Sequence, residues 1–220
     1  MDLTSLSSSL QALQAHFSQE FGDVALAREF ADIVISDVLQ WRPPVVAPAD
    51  VQTIVAYTFG NRIDANGNRS PGPVNEALAN VAVRLHEETC APVYAQWEIA
   101  EGIGDRIGAE HLFSITPKRN ARAETLYLST GGVAAAVIAR IRDAERLGKV
   151  AVVGFADHIK RCVDSSRRVG MDAAAPAGYE MPATYDVQSG QPWTRSRLIY
   201  LLHDVMCRAE DRRDRLIADA

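Results

Sequence analysis

Apolar residues recur at helical spacing over residues 3–41: Leu3, Leu6, Leu10, Leu13 and Phe17, then, after a break at Phe21-Gly22-Asp23, Ala27, Phe30, Val34 and Val38. Two helices are expected, stopped at Arg42-Pro43-Pro44 because a residue preceding proline is driven out of helical dihedrals. Residues 1–44 therefore predict an amino-terminal helical hairpin packed on the core, with a dimerisation face as the alternative use of the same stripes.

From Val51 the pattern changes. Val51 to Phe59 reads as a strand ending at Gly60-Asn61, followed by a polar Asn/Gly/Pro-rich loop from Arg62 to Pro73. Val74, Leu78, Val81 and Leu85 mark a helix. Pro92 to Ile99 predicts a second strand, followed by a short irregular or helical piece around Gly102 to Gly108. His111 to Thr116 predicts a third strand, stopped by Pro117. Val133, Val137, Ile138 and Ile141 mark a further helix before the apolar run Val150 to Phe155, and a helix with its stripe on Ile159, Cys162, Val163, Ser166 and Val169 follows. After Gly170 the chain reads as loop-rich (Pro176, Gly178, Pro182, Gly190, Pro192), and a last amphipathic helix starts near Thr194. Strands alternating with helices predict an α/β, Rossmann-like domain over residues 45–220, its mainly parallel sheet flanked by helices.

Composition narrows the partners. With 47% hydrophobic and 23% charged residues and a net charge of −5, the chain suits a soluble globular protein and not a phosphate-tracking surface, so nucleic acid is not an expected partner. The basic clusters Lys118, Arg119, Arg122 and Arg167, Arg168 read as solvated faces. Three scattered cysteines fit reduced thiols in a cytoplasmic protein. No secretory signal or membrane-length apolar run is seen. HExxH, GxSxG and GxGxxG are missing, and no lysine follows the glycines at 131–132, so a metal centre, a standard hydrolase elbow, a standard dinucleotide site and a P-loop are not expected.

The candidate chemistry gathers at predicted strand ends, where open α/β sheets bind ligands. Asp157-His158-x-x-Arg161 follows the run at Val150. Asp157 suits a helix N-cap; His158 falls at the border of the apolar stripe and Arg161 outside it, so the pair reads either as ligand-facing or as a surface histidine with a solvated arginine. Ser129-Thr130-Gly131-Gly132 opens a helix with small residues that let backbone N–H groups approach an anion, or serves as a cap with close packing. Glu98, after Tyr94 and Trp97, is expected at a strand end in partly apolar company, where a carboxylate pKa rises toward acid–base use. Asn61, Arg62 and Asp64 occupy the loop after the first strand, where polar ligand contacts are expected.

In its spacing, the segment Lys149 to Met171 resembles the SanA/YdcF/ElyC-like family of small bacterial proteins, in which a strand runs into a histidine, an arginine three residues on, and a helix closed by glycine. His158, Arg161 and Gly170 stand at those positions, Leu126 to Ala134 (LYLSTGGVA) stands where the family has a Ser/Thr turn opening a helix, and Gly67 stands where it commonly has glycine. The resemblance runs over residues 51–205. The chain departs from it at Phe59-Gly60-Asn61 and at Trp97-Glu98. The resemblance implies a Rossmann-like fold with its ligand site at the strand carboxyl ends; one branch is associated with S-adenosylmethionine, which makes it the cofactor to test. On this reading Arg161 and residues 129–132 hold an anionic or nucleotide-like small molecule, while His158 and Glu98 serve group transfer or hydrolysis. The alternative is a non-catalytic ligand-binding or protein-interaction module using the amino-terminal helices, and a homodimer is one form it could take.

Overall fold

The structure is a computed structural model that describes residues 3–119, 125–141 and 145–220; Arg122 of the first basic cluster lies outside them. The chain forms two compact units, residues 1–41 with 202–220, and residues 42–201. The carboxyl-terminal stretch thus groups with the amino-terminal hairpin, where the sequence placed it with the α/β domain.

In the helical unit, α1 (Leu3–Phe21) and α2 (Val24–Ile33) form the hairpin, and α2 continues into a π-helical turn at Val34–Val38. Asp23 caps α2 by accepting from the Ala25 and Leu26 amides at 2.9 and 3.0 Å. Phe30 packs edge-on against Phe17 and Phe21, and Ala27 and Ala31 are buried. The later part of the last helix belongs here too. Its Arg208 pairs with Asp204 at 2.7 Å and lies 4.2 Å over Trp41, both charges buried.

The larger unit holds, in chain order, β1 (Val45–Val46), β2 (Thr53–Ala56), β3 (Arg62–Ile63), β4 (Arg69–Ser70), α3 (Gly72–Thr89), β5 (Val93–Gln96), α4 (Trp97–Ile103), β6 (Leu112–Ile115), β7 (Lys118–Arg119), β8 (Thr125–Leu126), α5 (Thr130–Ile141), β9 (Lys149–Val153), α6 (Ile159–Arg168), β10 (Asp172–Pro176) and the start of α7 (Arg197–Ala218). Among the described residues, six strands form one sheet in the order β1-β10-β9-β2-β5-β6, every pairing parallel. This is the α/β, Rossmann-like architecture expected.

Period-two alternation splits the strand side chains between two apolar layers. Ile54, Ala56, Val93, Ala151 and Val153 share one layer with Leu78, Leu85, Ile99 and Ile103 of α3 and α4. Val55, Val150, Val152 and Ala173 share the other with Val133 and Val137 of α5 and Ile159 and Val163 of α6. Strands covered on both faces read as continuous apolar runs, which made β2 and β9 legible.

Several boundaries differ from expectation. The second strand ends at Gln96, and Trp97 opens a helix, so Glu98 sits in the first turn of α4 and not at a strand end. The stretch after Gly170 is not all loop: Asp172–Pro176 is an inner strand. Its sequence, DAAAP, carries no β-branched residue, and its stability comes from burial between β1 and β9. The polar loop 62–73 contains the β3–β4 hairpin.

The order of the strands sets the site. From β2 the chain steps outward through β5 to β6, then returns to the other side of β2 with β9 and steps on to β10. The loops after β2 and β9 therefore diverge from neighbouring strands, and a doubly wound sheet opens its ligand crevice between such loops.

Candidate functional site

Asn75, fully buried on α3, shapes the loop after β2. Its Oδ1 accepts from the Phe59 amide at 2.9 Å and the Thr58 hydroxyl at 2.7 Å, and its Nδ2 donates to the Gly60 carbonyl at 2.8 Å. Gly60 needs to be glycine: φ is +71°, and a Cβ there would lie 2.5 Å from Ser189 Oγ and 2.7 Å from Thr194 Oγ1. Phe59 then stacks on Phe155 of the β9 loop with centroids 3.9 Å apart, and Tyr185 and Tyr200 meet Phe59 edge-on. This aromatic cluster joins the two loops that flank the switch point.

The β9 loop delivers the histidine. His158 is the N-cap residue of α6, although its side chain makes no cap hydrogen bond. Asp157, expected as the cap, instead accepts from Tyr185 Oη at 2.9 Å and from the Arg197 guanidinium at 3.0 Å twice. It ties the β9 loop to the start of α7. His158 is 6% exposed, so it is buried and not a surface histidine. Its Nε2 lies 3.1 Å from Thr130 Oγ1. Arg161 Nη1 donates to that hydroxyl at 3.0 Å, and Nη2 donates to Tyr200 Oη at 3.2 Å. Thr130 thus bridges the imidazole and the guanidinium at the first residue of α5. Ser129 has a different duty: its Oγ accepts from the Gly132 amide at 3.1 Å and caps α5. Around Gly131 a Cβ would meet nothing within 4 Å.

A second cluster joins Asn61 and Tyr127 to Glu98 of α4 and Arg69 of β4. Glu98 is fully buried, and its Oε1 accepts from the Tyr127 hydroxyl. Asn61 Nδ2 donates to Tyr127 Oη at 2.8 Å, while Arg69 donates to Asn61 Oδ1 at 3.1 Å and places its guanidinium 5.0 Å from the centre of the Tyr127 ring. Glu98 Oε2 is buried with no hydrogen-bond partner among the described residues. Burial pushes the Glu98 carboxyl up from 4.5 to about 7; the Tyr127 hydroxyl and, more weakly, Arg69 and Asn61 pull it back in part. Burial and the neighbouring carboxylate also raise the Tyr127 phenol. Glu98 can therefore give or take a proton near neutrality.

Of the sequence-predicted residues, the fold brings Thr130, His158 and Arg161 into one chain and Glu98 and Asn61 into another. Arg62 and Asp64 lie outside both. Arg62 is paired with Asp186 at 2.9 Å, and Asp64 pins the β3–β4 turn by accepting from the Asn66 and Asn68 amides, both at 2.8 Å. Tyr127, Arg69, Tyr200 and Asn75 carry no sequence signal of their own. Two of them stand inside stretches already marked, Tyr127 three residues before Thr130 and Arg69 in the polar loop from Arg62 to Pro73. A separate groove of about 990 Å³ runs between α3 and residues 178–187, and none of the sequence-predicted site residues lines it.

Comparison with protein-family models, with curated proteins and with solved structures gives no match for this chain. Its class is thus set by fold alone, as a doubly wound parallel α/β protein with a polar network at its topological switch point.

Proposed function

We propose that the protein is an enzyme that binds a small anionic or nucleotide-like molecule at the carboxyl edge of β2 and β9 and catalyses its group transfer or hydrolysis. The observation that carries this reading is the hydrogen-bonded chain His158–Thr130–Arg161–Tyr200 at the switch point. Arg161 and the Thr130 hydroxyl hold the anionic group. The buried imidazole, one hydrogen bond from a hydroxyl, serves as acid or base, and Glu98 is the complementary carboxyl. The His158, Arg161 and Gly170 spacing supports kinship with the SanA/YdcF/ElyC-like family, and with it S-adenosylmethionine as the cofactor to test first. The net charge of −5 favours small-molecule partners over nucleic acid. No helix among the described residues is long and apolar enough to cross a membrane, and the reading is of a cytoplasmic protein.

A thermal-shift screen against S-adenosylmethionine, nucleotides and sugar phosphates tests it. A ligand at a hundredfold over its Kd should stabilise the native state by about 2.7 kcal/mol, and His158→Ala and Arg161→Ala should lose most of that gain. No shift with any ligand, or an undiminished shift in both variants, contradicts the reading. Exposed apolar residues of the helical unit, Val24, Leu26, Phe30, Leu202 and Met206, favour a second reading, a protein-interaction module. A chain that binds none of these ligands yet is dimeric by light scattering supports that alternative.

A further inference from the structure

We propose that the groove between α3 and residues 178–187 binds an extended protein segment, paired along its main chain to residues 181–183 and carrying lysine or arginine at the end that meets Glu88 and Glu180. This site is separate from the His158–Thr130–Arg161 network and does not depend on it.

Shape is the first ground. The groove holds about 990 Å³. One wall is α3 from Pro73 to Glu88, which rises about 22 Å at 1.5 Å per residue. At about 3.3 Å per residue, that is the length of roughly seven residues of extended chain. The other wall runs antiparallel to α3: Tyr179 Oη donates to Glu88 at 2.5 Å near the end of the helix, and Asp186 holds Arg62 beside Gly72 at its start. A trough open along that length suits a chain better than a compact metabolite.

The second ground is a main-chain edge. Residues 179–186 run without a helix, turn or bend. Neither amide nor carbonyl of Glu180, Met181, Ala183 or Thr184 has a hydrogen-bond partner among the described residues, except that none is needed at Pro182, whose carbonyl accepts from the Ala156 amide of the β9 loop at 2.9 Å. Across a trans peptide the next amide points the opposite way, so Ala183 turns its N–H away from that loop, and in extended chain Met181 shares its side. Both residues line the groove. An exposed row of main-chain donors and acceptors is a template for one more strand.

Charge selects the partner. Glu88 and Glu180 stand at the Tyr179 end of the groove, with Glu87 next along α3, against Arg84, whose guanidinium lies 5.8 Å from the centre of the Tyr179 ring. At the other end Asp186 is neutralised by Arg62. The acidic excess therefore sits at one end, where a basic side chain is favoured. The walls are also held in place before a partner arrives: Tyr185 packs edge-on against Phe155, and Met181 lies against the core. That keeps the ordering cost of binding low.

Selection from a displayed library of random heptapeptides on the immobilised full chain, followed by fluorescence-polarisation titration of the enriched sequences, tests the assignment. Peptides with lysine or arginine at one end should be enriched over the bare support. The Glu88→Gln/Glu180→Lys double variant, which keeps an acceptor for Tyr179, should bind them about tenfold or more weaker. Ala183→Pro removes one main-chain donor and should weaken them about fivefold or more. Circular dichroism and Tm report that each variant is folded. If Ala183→Pro does not fold, N-methylation of alternate peptide amides takes its place and should cause the same loss. His158→Ala should bind the peptides as the wild type does. No enrichment, enrichment without basic residues, or affinity unchanged in either groove variant overturns the proposal and leaves the reading at the switch point standing.

Discussion

Replacing Phe155 by alanine should destabilise the sheet-bearing unit by about 3–5 kcal/mol, the range for emptying a buried aromatic position. Phe155 is completely buried. It stacks on Phe59 at 3.9 Å and meets Tyr185 edge-on at 4.7 Å, and such ring pairs add to the burial itself. The removed ring is also the contact that holds the β2 loop against the β9 loop, so ligand binding at His158 should fall further than stability alone explains. Phe155→Leu refills most of the volume and should cost less, about 1–1.5 kcal/mol. Urea denaturation of the three proteins measures the difference. A loss below about 1 kcal/mol for the alanine variant would mean that the aromatic cluster is not the rigid wall described, since core truncations of this kind exceed that figure.

Glu98→Gln should remove a pH dependence of stability that the wild type shows between about pH 4.5 and 7. The native carboxyl is raised to about 7 from an ordinary 4.5, so over that window the native state keeps a proton that the unfolded chain has given up. Its contribution is fully present below pH 4.5 and is lost as pH rises through 7. Two and a half pH units correspond to about 3 kcal/mol at most. The wild type should therefore lose stability relative to Glu98→Gln from pH 5 to pH 8, by several degrees in Tm at roughly 2–4 °C per kcal/mol. Parallel Tm–pH curves for the two proteins would sink the assignment of a raised pKa to this group.

What could be read in the sequence follows from which forces leave a local trace. The runs at Ile54 and Val150 were legible because strands buried on both faces stay apolar at every position. The stretch DAAAP was not, because alanine favours no extended backbone and the strand exists through its neighbours. His158, Thr130 and Arg161 stood out through spacing and small-residue context, and the fold joins them. Arg62 and Asp64 stood out equally, yet an ion pair to Asp186 and a turn to Asn68 occupy them. Asp186, 124 residues from Arg62, leaves no mark on local pattern, whereas the turn that takes up Asp64 is local, closed by Asn66 and Asn68. Asp157 misled for a related reason: a capping residue type was in place, but Arg197 and Tyr185, far along the chain, claim its carboxylate. Tyr127 and Tyr200 are ordinary aromatics in sequence, and only packing makes them site residues.

The most direct test is a backbone amide chemical-shift titration of the uniformly 15N-labelled chain with the ligand that gives the largest thermal shift. The proposal predicts that the perturbed amides cluster at residues 58–61, 127–132 and 155–161, the loops that meet at the switch point of the sheet. Perturbations confined to residues 178–187 and the outer face of α3, or to the helical unit, with these three loops unmoved, would contradict it.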